Sequence, residues 1–124
     1  MIVVLSQLKE FKMNFSKQVE ENITVITVNI TEASMNQSED FKNYLFENCI
    51  DEAPKLVIDL SQVKYMDSSF IGALVAGLKH MLLKKGEMAI VNVQSDVLAL
   101  FELTRLDKVF KIYPTVTDAI TSLK

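Results

Sequence analysis

The sequence predicts an α/β domain in which four to five strands alternate with helices in the order ββαβαβαβα. Three observations carry that prediction. Apolar runs of strand length, Leu56–Leu60 and Met88–Val93, alternate with longer stretches whose apolar residues recur at helical spacing. The chain contains only 3 Gly and 2 Pro, too few turn residues for an all-β sandwich or barrel. Hydrophobic residues make up 49% and charged residues 23%, close to ordinary globular usage, which excludes an intrinsically disordered chain. At 124 residues there is room for one domain, with a core that needs no metal or disulfide staple.

Residues 1–14 form an N-terminal extension, with Ile2, Leu5, Leu8 and Phe11 at near-helical spacing and Met13 as an alternative start. The domain occupies residues 15–124. Phe15, Lys17 and Val19 alternate with Ser16, Gln18 and Glu20, the pattern of a half-exposed edge strand. Glu21-Asn22 turns the chain into Ile23–Val28, a β-branched strand that completes a hairpin. Asn36-Gln37-Ser38-Glu39 has the form of a capping box and opens a helix carrying Phe41, Tyr44, Leu45 and Asn48 on one side. Leu56–Leu60, apolar at every position but Asp59, is expected to be a central strand covered on both faces. Ser69 to Lys85 is the longest helix; Ile71, Leu74, Val75, Leu78 and Leu82 are expected to face the core, with Gly86 as the stop. Met88–Val93 is a buried strand. Ser95 is expected to cap a helix through Leu106, Val109–Ile112 to form a short strand, and Thr115 or Thr117 to cap a final helix with Val116, Ala119, Ile120 and Leu123 inward.

Composition excludes several functions. Lys+Arg 13 against Asp+Glu 16 gives a net charge of -3, so the basic excess of a nucleic-acid binder is missing. One Cys and one His allow neither an intramolecular disulfide nor an ordinary zinc site, and no cofactor is expected. Ile2–Leu5 is broken at once by Ser6, Gln7, Lys9 and Glu10, far short of a membrane span. The expectation is a cytoplasmic protein. Gly72, Gly77 and Gly86 fall inside or after helices, so no glycine-rich phosphate loop exists. His80 is placed on the solvent side of the long helix, and Cys49 reads as a small buried hydrophobe. An enzyme would require Asp59, Asp67 and His80 to converge on one cavity. A phospho-aspartate receiver would need an acidic pair after its first strand, and Val28-Asn29-Ile30-Thr31 supplies none.

The segment Tyr65-Met66-Asp67-Ser68-Ser69-Phe70-Ile71-Gly72 stands between a central strand and the longest helix, where open α/β sheets place functional residues. Asp67 and Ser68 are both good N-cap types. A phosphate on a serine here would meet free backbone amides and the positive end of the helix dipole. Phe70 lies about 100° from the centre of the apolar stripe, at the core boundary. Ala73, Ala76 and Gly77 are expected to leave low relief on the outward side, a surface suited to docking.

These residues carry a family resemblance. Leu56-Val-Ile-Asp-Leu, Val63-Lys-Tyr-Met-Asp-Ser-Ser and Ile71-Gly72 resemble the centre of a STAS domain, the fold of bacterial anti-sigma factor antagonists. Gly86-Glu-Met-Ala-Ile-Val-Asn-Val and Val97-Leu-Ala-Leu-Phe-Glu-Leu-Thr agree with it. The resemblance implies a mixed sheet with helices packed on one side. It also implies a non-enzymatic partner switch. An anti-sigma factor that is itself a serine kinase would phosphorylate Ser68, and a PP2C-type phosphatase would reverse it. The unmodified form would hold the kinase through Asp67, Ser69, Phe70, Ala73 and Gly77, and so free a sigma factor. No nucleic acid or membrane partner is implied, and the chain is expected to be a monomer or weak homodimer. The alternative is an unphosphorylated STAS scaffold in a lipid-transport ATPase or multi-protein sensor. Three positions depart from the family pattern. Phe70 stands where Gly usually follows the serine pair, Arg105 where Gly commonly ends the third helix, and Thr31-Glu32-Ala33-Ser34 where a Gly-Glu-x-Asp turn is usual.

Overall fold

Alternation and turn chemistry build the first hairpin. In the computed structural model, which describes residues 14–49 and 51–124, β1 (Phe15–Glu20) pairs antiparallel with β2 (Ile23–Val28). Glu21 and Asn22 join them with φ of 52° and 67°, the two positive values that a hairpin turn matched to strand twist requires. The N-terminal stretch with apolar residues at near-helical spacing, Ile2 to Phe11, lies outside the described residues.

The other strands add in parallel. β4 (Lys55–Asp59), β6 (Glu87–Val91) and β7 (Lys111–Tyr113) extend the sheet in the order β1-β2-β4-β6-β7. Register places Ile26 beside Ile58 and Ile58 beside Ile90, with Val25, Val57 and Ala89 aligned on the opposite face. Two further strands, β3 (Glu32–Ala33) and β5 (Tyr65–Met66), form a separate parallel pair. At two residues each they carry no readable period, and the sequence did not reveal them.

Among the described residues, four helices cover the sheet: α1 (Met35–Glu47), α2 (Ser68–Leu83), α3 (Ser95–Leu103) and α4 (Val116–Leu123). The first three bury Phe41, Leu45, Phe70, Leu74, Val97 and Phe101 against Ile26, Leu56, Ile58, Met88 and Ile90. α4 lies on the other face, where Ala119, Ile120 and Leu123 cover Ile23, Val25, Val57, Ala89 and Val91. The α/β class and element order are as expected; the one-sided arrangement of helices holds for three of the four. A central strand whose three consecutive apolar residues, Leu56, Val57 and Ile58, point to both faces requires cover on both sides.

Local ends differ from the sequence reading in instructive ways. Ser34 caps α1, in a capping box with Gln37, so the start lies two residues before Asn36. α2 ends at Leu83, and Lys85 takes the left-handed position at φ 60° that Gly86 was expected to fill. Gly86 is required for space instead: a Cβ there would lie 2.4 Å from the Pro54 carbonyl oxygen. Gln94 rather than Ser95 stands at the N-cap of α3, without a side-chain bond. That helix stops at Leu103 because Arg105 turns left-handed, at φ 62°, ahead of a 3₁₀ turn over Leu106–Lys108. Thr115 caps α4 by accepting from the Asp118 amide at 3.1 Å.

Candidate functional site

The loop after β4 leads into β5, which pairs with β3, and α2 begins at Ser68 after the single intervening residue Asp67. Asp67 fixes this start. Its Oδ1 accepts from the Phe70 amide at 3.0 Å and so caps α2. Its Oδ2 accepts from the Met35 amide at 2.8 Å, at the first residue of α1. Its own N–H donates to the Ala33 carbonyl at 3.0 Å. One half-buried carboxylate thus serves the N-termini of two helices. The link to Met35 was invisible in the sequence, because it joins residues 32 apart through the short β3–β5 pair.

Ser68 and Ser69 are both exposed, and they border different depressions. Ser68 stands on the lip of a cleft of about 560 Å³. Lys64, Tyr65, Met66 and Asp67 form one side of it, Ile71 contributes from α2, and Asp96, Val97, Leu100 and Thr104 contribute from α3. The floor is mainly apolar, with Lys64, Asp67 and Asp96 as the charged groups. Ser69 opens onto a smaller groove of about 230 Å³, where Ser38, Glu39 and Lys42 of α1 face Gly72, Ala73 and Ala76 of α2.

Three residues expected at a partner surface lie inside instead. Phe70 has no exposed area and stacks on Phe41, with ring centroids 4.5 Å apart at an interplanar angle of 13°. Ala73 is 5% exposed. Gly77 is buried, and a Cβ there would come within 2.5 Å of Leu45 Cδ1. The reason is common to all three. α2 is flanked by α1 as well as by the sheet, so its buried arc is wider than one stripe and is turned toward Phe70 and Met81. Leu82, expected inside, is 62% exposed for the same reason. The low relief exists, but Ser69, Gly72 and Ala76 provide its exposed part, with Ala73 nearly covered at its base.

Convergent acid–base chemistry is not assembled here. His80 is half-buried and stacked on Phe46 at 4.4 Å, not free in solvent as expected. It lies thirteen positions beyond Asp67 along α2, about 20 Å of helix. Asp59 is occupied with the Ser61 amide at 2.9 Å and the Asn92 side-chain amide at 3.2 Å. Cys49 is fully buried with its Sγ 3.1 Å from Met81 Sδ, and burial pushes its thiol up to about 11 against the opposing effect of Lys84. Among the described residues no helix is long and apolar enough to cross a membrane.

Fold and site together define a small α/β domain that presents a capped pair of exposed serines at a helix start. The chain belongs to the STAS domain family, whose model matches residues 7–119. It is similar, at 26% identity over 114 residues, to the anti-sigma F factor antagonist of Paenibacillus polymyxa, covering 90% of this chain and 97% of that protein. Two solved structures superpose closely. An anti-sigma-factor antagonist (STAS) domain protein from Planctomyces limnophilus gives a TM-score of 0.81 at 25% identity, covering 88% of this chain and 97% of that one. An anti-sigma factor antagonist from Mycobacterium paratuberculosis gives 0.75 at 26% identity, covering 88% and 92%.

Proposed function

We propose that this protein is an anti-sigma factor antagonist that acts by partner switching in the cytoplasm, with Ser68 as the phosphorylated residue. The observation that carries the reading is the position of Ser68: exposed, first in α2, and on the lip of the cleft of about 560 Å³ between α2 and α3. In the unmodified form a neutral hydroxyl lets an anti-sigma factor with serine kinase activity seat over the cleft and the adjoining Ser69 groove, which frees a sigma factor. Phosphorylation adds nearly two negative charges at that spot. The helix start tolerates them through its dipole and its unpaired first-turn amides. The partner does not, because it would have to bury the dianion without a new cation. A difference of about 3 kcal/mol weakens binding more than a hundredfold, enough to switch partners. A PP2C-type phosphatase would reset the site. Asp67 positions the serine, and the contact surface consists of Ser69, Gly72, Ala76 and the cleft residues rather than Phe70, Ala73 and Gly77.

The test is phosphorylation in lysate of the native cell with ATP, mapped by mass spectrometry, followed by capture on Ser68→Ala and Ser68→Asp proteins. The reading expects phosphate on Ser68, and a kinase retained by Ser68→Ala but lost from Ser68→Asp. Phosphate elsewhere, or equal capture by the two variants, would overturn it.

A further inference from the structure

We infer that the Asp67 carboxylate carries the state of Ser68 from α2 into the first turn of α1, so that modification of the serine loosens a second helix start. The inference rests on the proposed phosphorylation of Ser68. The geometry is a single side chain with two commitments. Oδ1 holds the Phe70 amide inside α2, and Oδ2 holds the Met35 amide at 2.8 Å on the exposed side. Met35 is the first residue of α1, so its N–H has no acceptor within its own helix and depends on this carboxylate.

A phosphoryl group on the adjacent residue acts on both arms. It repels the carboxylate, and it competes for the same first-turn amides of α2, where the dipole favours negative charge. The inner arm is supported by the cap geometry of α2. The outer arm crosses between helices in solvent and gives way first. Met35 is itself 69% exposed, so the change appears at the surface beside the Ser69 groove rather than inside the core. Phe41 stacked on Phe70 keeps the rest of α1 in place. The response is therefore confined to one helical turn.

Two variants separate this from a change local to α2. Asp67→Asn can still cap α2 through its carbonyl oxygen but presents an amide nitrogen, which cannot accept, to Met35. Met35→Pro deletes the donor at a position where proline suits a helix, and Ser34 already has the extended backbone that a following proline needs. Phosphoserine is installed at position 68 during translation, so no kinase is involved and loss of the switching function would leave this test intact. Amide NMR of the phosphoprotein should show the Met35 proton shifted and its exchange faster by about tenfold, the loss of one charge-assisted hydrogen bond. Asp67→Asn should give the same Met35 signature without phosphate. In Met35→Pro, phosphate should no longer move the amides of Asn36 and Gln37. An unchanged Met35 amide in the phosphoprotein, or shifts at Asn36 and Gln37 that persist in Met35→Pro, would overturn the inference.

Discussion

Replacing Phe70 by glycine, the residue the STAS pattern usually carries there, removes a ring that has no solvent exposure and lies flat on Phe41 at 4.5 Å. Deleting a buried phenylalanine side chain costs about 3–5 kcal/mol in lost transfer energy and residual cavity. Glycine in a helix adds up to about 1 kcal/mol in backbone entropy. The expected loss is therefore about 4–6 kcal/mol, a large part of the 5–15 kcal/mol typical of a whole domain. Urea denaturation followed by far-UV circular dichroism reads it directly, with the slope checked for two-state behaviour. Within the total, a cycle with Phe41→Leu should isolate about 1 kcal/mol of ring–ring coupling. A loss under about 1.5 kcal/mol with an unchanged slope would refute the reasoning. It would mean that α1 can close over the vacancy and that the Phe41–Phe70 stack does not support the α1–α2 contact.

Restoring the family glycine at the second departure should have the opposite sign. Arg105 sits at φ 62° with an exposed side chain, so Arg105→Gly is expected to raise stability by about 1 kcal/mol, seen as a higher urea midpoint. The helix glycines should also divide. Gly72→Ala meets nothing within 4 Å and should gain about 0.5–1 kcal/mol from helix propensity, whereas Gly77→Ala drives a Cβ against the fully buried Leu45 and should lose about 1 kcal/mol in the same assay. For Cys49, burial raises the thiol from 9.0 to about 11, so the folded state favours the neutral form. Its contribution to stability is complete below pH 9 and is lost as pH rises toward 11. Wild type should therefore lose more stability than Cys49→Ala between those values, and parallel pH curves would contradict this.

The sequence made the architecture readable wherever an element is long enough to show a period. β2, β4, β6, α1 and α2 all lie within a few residues of where their apolar spacing puts them. Ser68 and Asp67 were legible as a helix start because the capping chemistry is local. The failures concern relations that no local pattern encodes. Phe70 looked like a boundary residue because a single stripe was assumed to bury a single face. The presence of α1 against α2 turns Phe70, Ala73 and Gly77 inward and leaves Leu82 out. Likewise Arg105 and Lys85 occupy left-handed positions that glycine would fill more easily, and sequence preference pointed to the glycine next door or to a longer helix. The Asp67–Met35 bond depends on two strands of two residues, below the length at which any periodicity exists.

The placement of α4 has a consequence for how the protein must be handled by the cell. A helix of eight residues is the only cover, among the described residues, over a strip of Ile23, Val25, Val57, Ala89 and Val91 that runs across three adjacent strands. So short a helix has little stability of its own and is held by Val116, Ala119, Ile120 and Leu123, its Thr115 cap, and two surface links: Lys124 to Glu21 at 3.0 Å and Tyr113 to Ser122 at 2.6 Å. Brief detachment of this end exposes a flat, β-branched surface while the remaining sheet stays ordered, which is the form in which sheets recruit one another. The solubility of the domain therefore depends on the lifetime of that opening as well as on the global stability of the fold. Synthesis adds a further constraint, since the three strands emerge from the ribosome before the helix that shields them.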